Sequence, residues 1–458
     1  MKNFMRPILP LLAVAGLLAG PAAVAQLNNG KPDPEFPVPD RLDLPYALAF
    51  ALDNNFAIRQ AKEQIRQQEG VVLVVRSPQI PNVSAAGQYQ RNAAEISSIG
   101  RDDDWAFSIT ARQTLFAGGG VVAGVKAQQL TLDAAVLELA AVVNDALFDV
   151  RTKFYTVIVN REKIKVQEQN VELLQRQLQD VRNRFDAGTV SNFEVLRAEV
   201  ALANAQPALI TARNDFRLAI EELRQALGFV TATTANVTKV PEFLGSLEYQ
   251  PASFDLTSAL ATAREKRPDL QRLRKLEAAA EQGVIVNRAN YLPSVALFGS
   301  YAWTEAPITV PNSSQLHGWT VGVQSQWNIF DGRATEGRIA QARSAVEQAK
   351  LSEAQVQLAV DVDVRRAIST FQQANELAEA SKKVVEQAEE SLRLANARFA
   401  AGTATQLDVL QAQTDLTTAR LNQLQAYYSY NIAVATVRKA MGLTDAMRPT
   451  GELPWPPK

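Results

Sequence analysis

The stretch that decides the fold is Arg184-Phe185-Asp186-Ala187-Gly188-Thr189-Val190-Ser191-Asn192-Phe193-Glu194-Val195-Leu196-Arg197-Ala198, which returns 214 positions later as Arg398-Phe399-Ala400-Ala401-Gly402-Thr403-Ala404-Thr405-Gln406-Leu407-Asp408-Val409-Leu410-Gln411-Ala412. In each copy a long amphipathic helix ends at a glycine, turns, and restarts with Ser or Thr at the new N-terminus and an acidic residue in its first turns. The pattern predicts the tip of a helical hairpin, and it occurs twice.

The repetition extends over most of the chain. Trp105 matches Trp319 at the same offset, whereas Pro81 matches Pro293 at an offset of 212, so a two-residue length change falls between the two strands of one half. Such recurrence indicates a tandem duplication of about 200 residues. We predict a first structural repeat over 26–240 and a second over 241–443. The first repeat contains a helical region from 42 to about 76, a β-hairpin at about 82–116, a long helix 118–185 and a return helix 191–228. The second contains a helix 256–291, a β-hairpin at about 294–330, a long helix 332–399 and a return helix 405–441.

Composition removes several classes of function. The chain has no Cys and a single His, His317, so thiolate nucleophiles, imidazole-based metal sites and catalytic triads are not expected. Its formal net charge of −1 provides no basic field for nucleic acid. We therefore expect no enzyme activity, no metal site, no cofactor and no nucleic-acid partner.

The N-terminal segment has the pattern of an export signal. Lys2 and Arg6 precede a short apolar run, and Ala23-Val24-Ala25 fits a small-residue cleavage site. We predict a secretory signal peptide over residues 1–25. The alternative is a membrane anchor, which the short apolar run disfavours. A proline-rich leader follows the cleavage site, and a proline-rich tail occupies 444–458.

Two short segments in each half change from helical to alternating periodicity. From 319 to 330 a mainly apolar set of side chains alternates with a mainly polar set, and 105–115 shows the same pattern. Strands of about ten residues with an apolar outer band and aromatic residues near its ends are typical of an outer-membrane β-barrel. A soluble sheet packed on helices is the alternative. Arg112 is predicted on the polar face, towards the lumen, and the alternative is that it is merely a solvated residue of the barrel. The predicted aromatic girdle comprises Trp105, Tyr301, Trp303, Trp319 and Trp327.

Each hairpin is followed by about 65 residues of helical pattern without Pro, equivalent to a rod of roughly 100 Å. In the lower part of the first rod Val171, Leu174, Leu178, Val181 and Phe185 recur at steps of three and four, which is coiled-coil spacing. The return helices are shorter, so a second helix must stack end to end with each of them. Pro207 lies in only one of the two, and predicts a kink or local widening there.

Four strands in one chain cannot close a barrel, because two edges would face lipid unpaired. Several chains must therefore share it, and three chains would supply twelve strands. The predicted fold class is mainly α with a small β part. Long helical hairpins form an α-barrel, each chain contributes four strands to a shared transmembrane β-barrel, and the whole is built by internal duplication.

The chain resembles the TolC-like outer membrane efflux proteins, also called outer membrane factors. The residues that carry the resemblance are the twice-occurring motif Arg-Phe-x-x-Gly-Thr-x-x-x-x-Asp/Glu-Val-Leu-x-Ala at the tips. The resemblance covers the whole chain after the signal peptide. It implies a homotrimer in the outer membrane with a helical tunnel across the periplasm. It also implies that the tips meet a periplasmic adaptor, or membrane fusion protein, that links them to an inner-membrane pump.

The resemblance also assigns roles to residues at the tips. Adaptor docking would fall on Gly188, Thr189, Val190, Gly402, Thr403 and Ala404. The alternative for the glycines is a purely structural C-cap. A periplasmic gate with an acidic ring would involve Glu194, Asp408 and Gln411. The alternative for the two acids is stabilisation of the helix dipole. Gln411 replaces a second acid of some relatives, Ala404 a basic gate residue and Phe399 a tyrosine, so a gate closed by those polar ties is in doubt here.

The sequence is compatible with three functions to different degrees. The first is a passive exit duct of a tripartite efflux or type I secretion system. The second is a periplasmic coiled-coil adaptor or structural rod that never enters a membrane; it accounts for the helices but not for four alternating strands with aromatic ends. The third is a secreted enzyme, for which no clustered nucleophile, base or metal set is found. The exported substrate, whether drug, metal, peptide or protein, is not specified by the sequence.

Overall fold

The computed structural model describes residues 39–91, 103–229, 240–304 and 316–443. The predicted signal peptide, most of the leader and the tail lie outside these ranges. The helices are α1 (Leu44–Asn54), α2 (Phe56–Arg76), α3 (Gly120–Asp186), α4 (Asn192–Leu227), α5 (Leu256–Lys266), α6 (Pro268–Arg288), α7 (Ala334–Ala400) and α8 (Gln406–Ala440). The strands are β1 (Arg41–Leu42), β2 (Asn82–Arg91), β3 (Asp103–Ala117), β4 (Glu242–Phe243), β5 (Ser294–Thr304) and β6 (Leu316–Gln326).

Four of the strands form one antiparallel sheet in the order β2-β3-β5-β6. The two hairpins have the same register. Asn82 pairs with Arg112 in the first, and the residues at offsets of 212 and 214, Ser294 and Gln326, pair in the second. The length change read from the sequence therefore falls between the strands of a hairpin, as predicted. The two halves are joined through β3 and β5, with a bulge between Thr114 and Phe116.

The strands β2 and β5 follow the shorter helices α2 and α6, and β3 and β6 lead into the long helices α3 and α7. The helices α2, α3, α6 and α7 pack side by side in the order of the strands to which they are attached. The transition from β3 to α3 is tight, since a Cβ at Gly118, where φ is +58°, would lie 2.5 Å from the Ala289 carbonyl oxygen. Sheet and helices thus form one continuous wall.

Further from the sheet, the return helices take the places of the shorter ones. The helix α4 packs on α3, and α8 packs on both α7 and α3. The long helices α3 and α7 have 67 residues each, so each is a rod of about 100 Å, as the sequence predicted. Because α3 contacts α2, α4, α6 and α8, it is the element on which both halves pack.

The predicted end-to-end arrangement of short and return helices is confirmed, and one side chain organises it. The Asn55 side-chain oxygen accepts hydrogen bonds from the amides of Ala57 and Ile58 at the start of α2. The Asn55 side-chain nitrogen donates to the Ala226 carbonyl at the end of α4, at 2.7 Å. A single asparagine therefore satisfies polar groups of two helix termini, which otherwise lack intrahelical partners.

The largest buried clusters lie near these junctions. In the first half the core includes Leu48, Ile58, Leu147 and Phe154, and in the second it includes Val364 and Tyr430. The connector contacts both halves, because Arg161 of α3 donates to the carbonyls of Phe243 and Gly245 and Asn431 of α8 donates to the Glu248 carbonyl. Towards the tips the clusters are smaller, with Val171, Leu174, Leu178 and Val181 buried at the predicted coiled-coil positions.

Two sequence expectations differ in detail, and a third, the kink or local widening at Pro207, stays a prediction. The strand predicted over 319–330 is β6, which begins at Leu316 and ends at Gln326, because the chain turns towards the helix and leaves Ile329 and Phe330 exposed. Phe185 ends the coiled-coil series but is 42% exposed, since it lies at the helix terminus. Pro207 lies within α4, which remains helical from Asn192 to Leu227. Among the described helices, none is long and apolar enough to cross a membrane.

We predict that Gly228→Ala destabilises the protein more than Gly188→Ala. Both glycines have positive φ, +75° and +71°, and alanine is strained at either by about 1–2 kcal/mol. At Gly228 the new Cβ would also lie 2.4 Å from the Asn54 carbonyl oxygen, whereas the space at Gly188 is open. The expected extra cost is about 1–3 kcal/mol. Thermal unfolding of the purified protein measures it, and equal midpoints for the two variants would contradict the packing described at the helix junction.

Candidate functional site

The sheet presents an apolar face that none of the described residues covers. Strand pairing places one set of alternate side chains of all four strands on the same side. Seven large members of that set are exposed, from 36% for Phe107 to 76% for Trp319. The seven are Val83, Tyr89, Phe107, Leu297, Trp319, Val321 and Val323. A contiguous exposed apolar surface of this kind requires a partner or a lipid phase.

Aromatic residues mark both ends of this face. Four of the five predicted girdle residues, Trp105, Tyr301, Trp303 and Trp319, lie on it at the end away from the helices. Two of them pack together, with the ring centroids of Tyr301 and Trp303 at 4.4 Å. Trp327 lies at the opposite end, just after β6, where its indole donates to the Tyr291 carbonyl at 3.1 Å.

The first tip closes on a left-handed glycine. Gly188 has a φ of +71°, and its amide donates to the Phe185 carbonyl while the Thr189 amide donates to that of Arg184. The Thr189 hydroxyl donates to the same Arg184 carbonyl at 2.9 Å. The structural role of the glycine as a C-cap is thereby established. Gly188 and Thr189 are exposed, and Val190 is half-buried.

The second tip repeats the turn but caps its return helix differently. Gly402 also has a φ of +71°, and the Thr403 amide and hydroxyl both donate to the Arg398 carbonyl. Thr405 and Asp408 then form a reciprocal capping box at the start of α8. Its counterpart at the first tip, Ser191, makes no side-chain cap. Gly402 and Thr403 are exposed, and Ala404 is half-buried.

The two acids predicted for the gate have different surroundings. The Asp408 carboxylate accepts from the Thr405 amide at 2.7 Å and from its hydroxyl at 2.8 Å. These hydrogen bonds, first from the amide and then from the hydroxyl, lower the pKa of Asp408 below its usual range. Glu194 instead lies 3.4 Å from the Arg197 guanidinium. At the position equivalent to Arg197 stands Gln411, whose side chain donates to Asp415.

Contacts between the two helical hairpins were not predicted. The Arg184 guanidinium lies over the Phe399 ring, 4.8 Å from its centroid, and so ties one tip to the other. Further from the tips, Gln413 and Thr417 of α8 donate to the Asn170 side-chain oxygen of α3. Asparagine and glutamine among apolar heptad positions are a sequence signal for such a layer, but the partner on another helix depends on the packing.

The comparisons with known proteins agree with this geometry. A family model described as "Outer membrane efflux protein" matches residues 48–229 and 259–443. The chain belongs to the outer membrane efflux protein family. It is 28% identical over 411 residues to protein CyaE of Bordetella pertussis, covering 88% of this chain and 85% of that protein. It is 26% identical over 450 residues to the cobalt-zinc-cadmium resistance protein CzcC of Cupriavidus metallidurans, covering 95% and 99% respectively.

A solved structure shows the same fold. The outer membrane channel CmeC of Campylobacter jejuni superposes with a TM-score of 0.74 at 16% identity, covering 87% of this chain and 85% of that one. The predicted TolC-like family, the mainly α fold with a small β part and the function are therefore confirmed. This outer membrane efflux protein is an exit duct of an efflux or secretion system, and the relatives it matches are channels.

The two caps give a matched prediction for local stability. We expect Thr405→Ala to speed hydrogen exchange of the first amides of α8 by roughly fivefold, the ordinary effect of losing a side-chain N-cap. Ser191→Ala should leave the first amides of α4 almost unchanged, because Ser191 makes no side-chain cap.

The same protection should depend on pH in one direction. Because the pKa of Asp408 is lowered in the folded protein, its stabilising effect is complete above the usual aspartate range and is lost as the pH falls through the lowered value. The measured quantity is the protection factor, the observed exchange rate relative to the intrinsic rate at the same pH. Two results would contradict the capping box: equal changes of this factor at the helix start in the two variants, or a factor for the first amides of α8 that stays constant on acidification.

Proposed function

We propose that this efflux protein acts as a homotrimer whose twelve strands close a β-barrel in the outer membrane and whose helices form a tunnel below it. The observation that carries the proposal is the sheet with its exposed apolar face and its two unpaired edges, β2 and β6. An open edge in lipid leaves backbone groups without hydrogen bonds, at a cost of several kcal/mol each. Pairing β6 of one copy with β2 of the next removes both edges at once.

The internal duplication indicates how the copies would pair. Within the chain, β3 of the first repeat pairs with β5 of the second. Its equivalent between chains is β6 of one copy against β2 of the next. Applying the two offsets to the pair Thr110 and Ser300, whose hydroxyls lie 3.1 Å apart, gives Gln324 of one copy beside Gln88 of its neighbour. Both glutamines are exposed in the single chain.

Disulfide trapping tests the trimer, because the chain has no cysteine of its own. We expect a chain carrying both Gln88→Cys and Gln324→Cys to give cross-linked species that stop at three subunits on a denaturing gel. Within one chain β2 and β6 are separated by two strands, roughly 14 Å, and so cannot be bridged. Any disulfide must therefore join two chains.

Two controls sharpen this experiment. Either cysteine alone should give no ladder. Pairing Gln88→Cys with Gln326→Cys, which shifts the register by two residues to roughly 7–8 Å, should cross-link more slowly. A ladder ending at two or four subunits would overturn the trimer, while faster cross-linking in the shifted pair would overturn only the register.

We propose that the tips dock a periplasmic adaptor, which links the duct to an inner-membrane pump. The docking residues are those predicted from the sequence: Gly188, Thr189, Val190, Gly402, Thr403 and Ala404. Support comes from their position at the far ends of both hairpins and from the open space above the two glycines. The turns alone require glycine and a hydrogen-bonding side chain, so the exposed surface around them is available for a partner.

We propose further that Asp408 and Glu194 contribute an acidic ring at the periplasmic end, with Asp408 the stronger contributor. The charge of Glu194 is partly offset by Arg197 at 3.4 Å. Asp408 accepts hydrogen bonds from the neutral donors of its capping box, and the Arg398 guanidinium lowers its pKa less than those hydrogen bonds do. The residue one turn later is the neutral Gln411. Rings of carboxylates favour cations in channels.

Planar-bilayer recording with the purified protein tests this ring. We expect a cation preference that falls by about twofold in Asp408→Asn and by less in Glu194→Gln. Thr405→Ala is the matched control, because it breaks the cap and keeps the charge. If Thr405→Ala lowers the preference as much as Asp408→Asn, the residue acts through the helix cap and the proposed ring is wrong.

The remaining expectations concern export and chemistry. We propose that the protein has no catalytic activity, that the signal peptide over 1–25 is removed during export, and that conduction is passive. The domain division into repeats over 26–240 and 241–443 is part of the same proposal. We propose that selection of the substrate belongs largely to the pump. A periplasmic rod outside the membrane is disfavoured by the exposed apolar face of the sheet.

A further inference from the structure

The polar face of the sheet carries one charged side chain among the residues whose side chains are described. Alternation places Arg112 of β3 on that face, opposite the set that includes Val321 and Val323. Arg112 is exposed, and no carboxylate of the described residues lies within ion-pair distance of it. An arginine on a polar wall without a counter-charge leaves its positive field open to solvent.

An aromatic ring lies beside it on the same face. Arg112 pairs with Phe298 of β5, and Phe298 pairs with Gly322 of β6. A Cβ at Gly322 would lie 2.9 Å from the Phe298 Cζ and 3.1 Å from its Cε1. The tip of the Phe298 ring therefore occupies the space above Gly322 that a side chain would fill. Glycine in a strand commonly marks such a close approach.

This arrangement is unusual for a water-facing wall. The neighbours in the next row of the same face are small hydroxyl residues, Thr110, Ser300 and Thr320. A large apolar ring among them gains nothing from water, and Gly322 leaves the space that the end of this ring occupies. The Phe298 ring and the Arg112 side chain belong to paired residues on this face. Together they suit a ligand that has an anionic group for the guanidinium and an apolar body for the ring.

We propose that Arg112 and Phe298 form a contact belt in the barrel lumen that attracts organic anions with a planar apolar body. The belt rests on the proposed trimer, which places three copies around one axis. A twelve-stranded barrel of ordinary strand spacing and tilt is about 25 Å across its backbone. Each guanidinium then lies within about one Debye length of the axis in 0.1 M salt, so the three charges act on the same volume.

A reporter cysteine measures the field directly. We use Thr320→Cys, which lies on the polar face next to the belt, in trimers reconstituted in phosphatidylcholine nanodiscs. The probes are an anionic and a cationic methanethiosulfonate, each normalised to its rate with free mercaptoethanol. With Arg112 in place, the anionic reagent should react faster by roughly fivefold in 0.1 M salt and by more in 0.01 M salt. Arg112→Gln should bring the ratio close to one, and Arg112→Lys should preserve it.

A control on the opposite face separates this proposal from the proposed function. Val321→Cys, the next residue on the strand, should be shielded by lipid from both reagents. If it reacts as fast as Thr320→Cys, the sheet is not a lipid-embedded barrel wall and the proposed function fails. If it is shielded while the ratio at Thr320→Cys is the same with Arg112 and with Arg112→Gln, the barrel stands and the belt is wrong.

The aromatic part of the belt has its own test. We expect 1-naphthoate to slow the anionic reagent at Thr320→Cys more than acetate does at the same concentration and ionic strength. Phe298→Ala should remove the difference between the two carboxylates while the salt-dependent charge preference remains. Equal slowing by naphthoate and acetate in the protein with Phe298 in place would overturn the aromatic contribution.

Discussion

The pairing of β3 with β5 is the contact on which the rest of the structure depends. It joins the two repeats into one sheet, and because each strand adjoins a helix, it also fixes which helices become neighbours. The helices α3 and α6 pack together directly below this strand pair. Close contact of Gly118 with Ala289 leaves little freedom at the point where sheet becomes helix. One hydrogen-bonded ladder therefore sets the order of a wall that extends for about 100 Å.

A wall of this kind is incomplete in a single chain. The sheet has hydrogen-bonding edges at β2 and β6 and a face of exposed apolar side chains, and both require something outside the chain. The duplication offers a solution, because the contact that joins the repeats within a chain can be repeated between chains. At the junction of α2 and α4, the Asn55 side chain forms hydrogen bonds with backbone groups that the two helix ends leave unpaired. The helix junction and the edges of the sheet thus meet the same requirement, that backbone N–H and C=O groups form hydrogen bonds.

The two repeats differ in charge at several equivalent positions. Glu194 is matched with Arg197, whereas Asp408 is held in a capping box beside Gln411. Arg112 of the first repeat has Gln326 as its equivalent in the second. The proposed duct consequently carries acidic groups near its tips and a basic group in its barrel, so the two ends differ in the sign of their fields. The backbone frame tolerates these differences, since strand register and helix length are the same in both halves.

The sequence by itself determined the duplication, the alternating strands, the two long rods and the tips, because each follows from periodicity and from a few glycines whose φ is positive. Only the tertiary structure decided that β3 pairs with β5, that Arg184 stacks on Phe399, and that Phe298 covers Gly322 beside Arg112. These contacts join residues more than a hundred positions apart, or on neighbouring strands whose register had to be known. Periodicity reports the face on which a side chain lies, whereas the identity of its partner depends on how the elements pack.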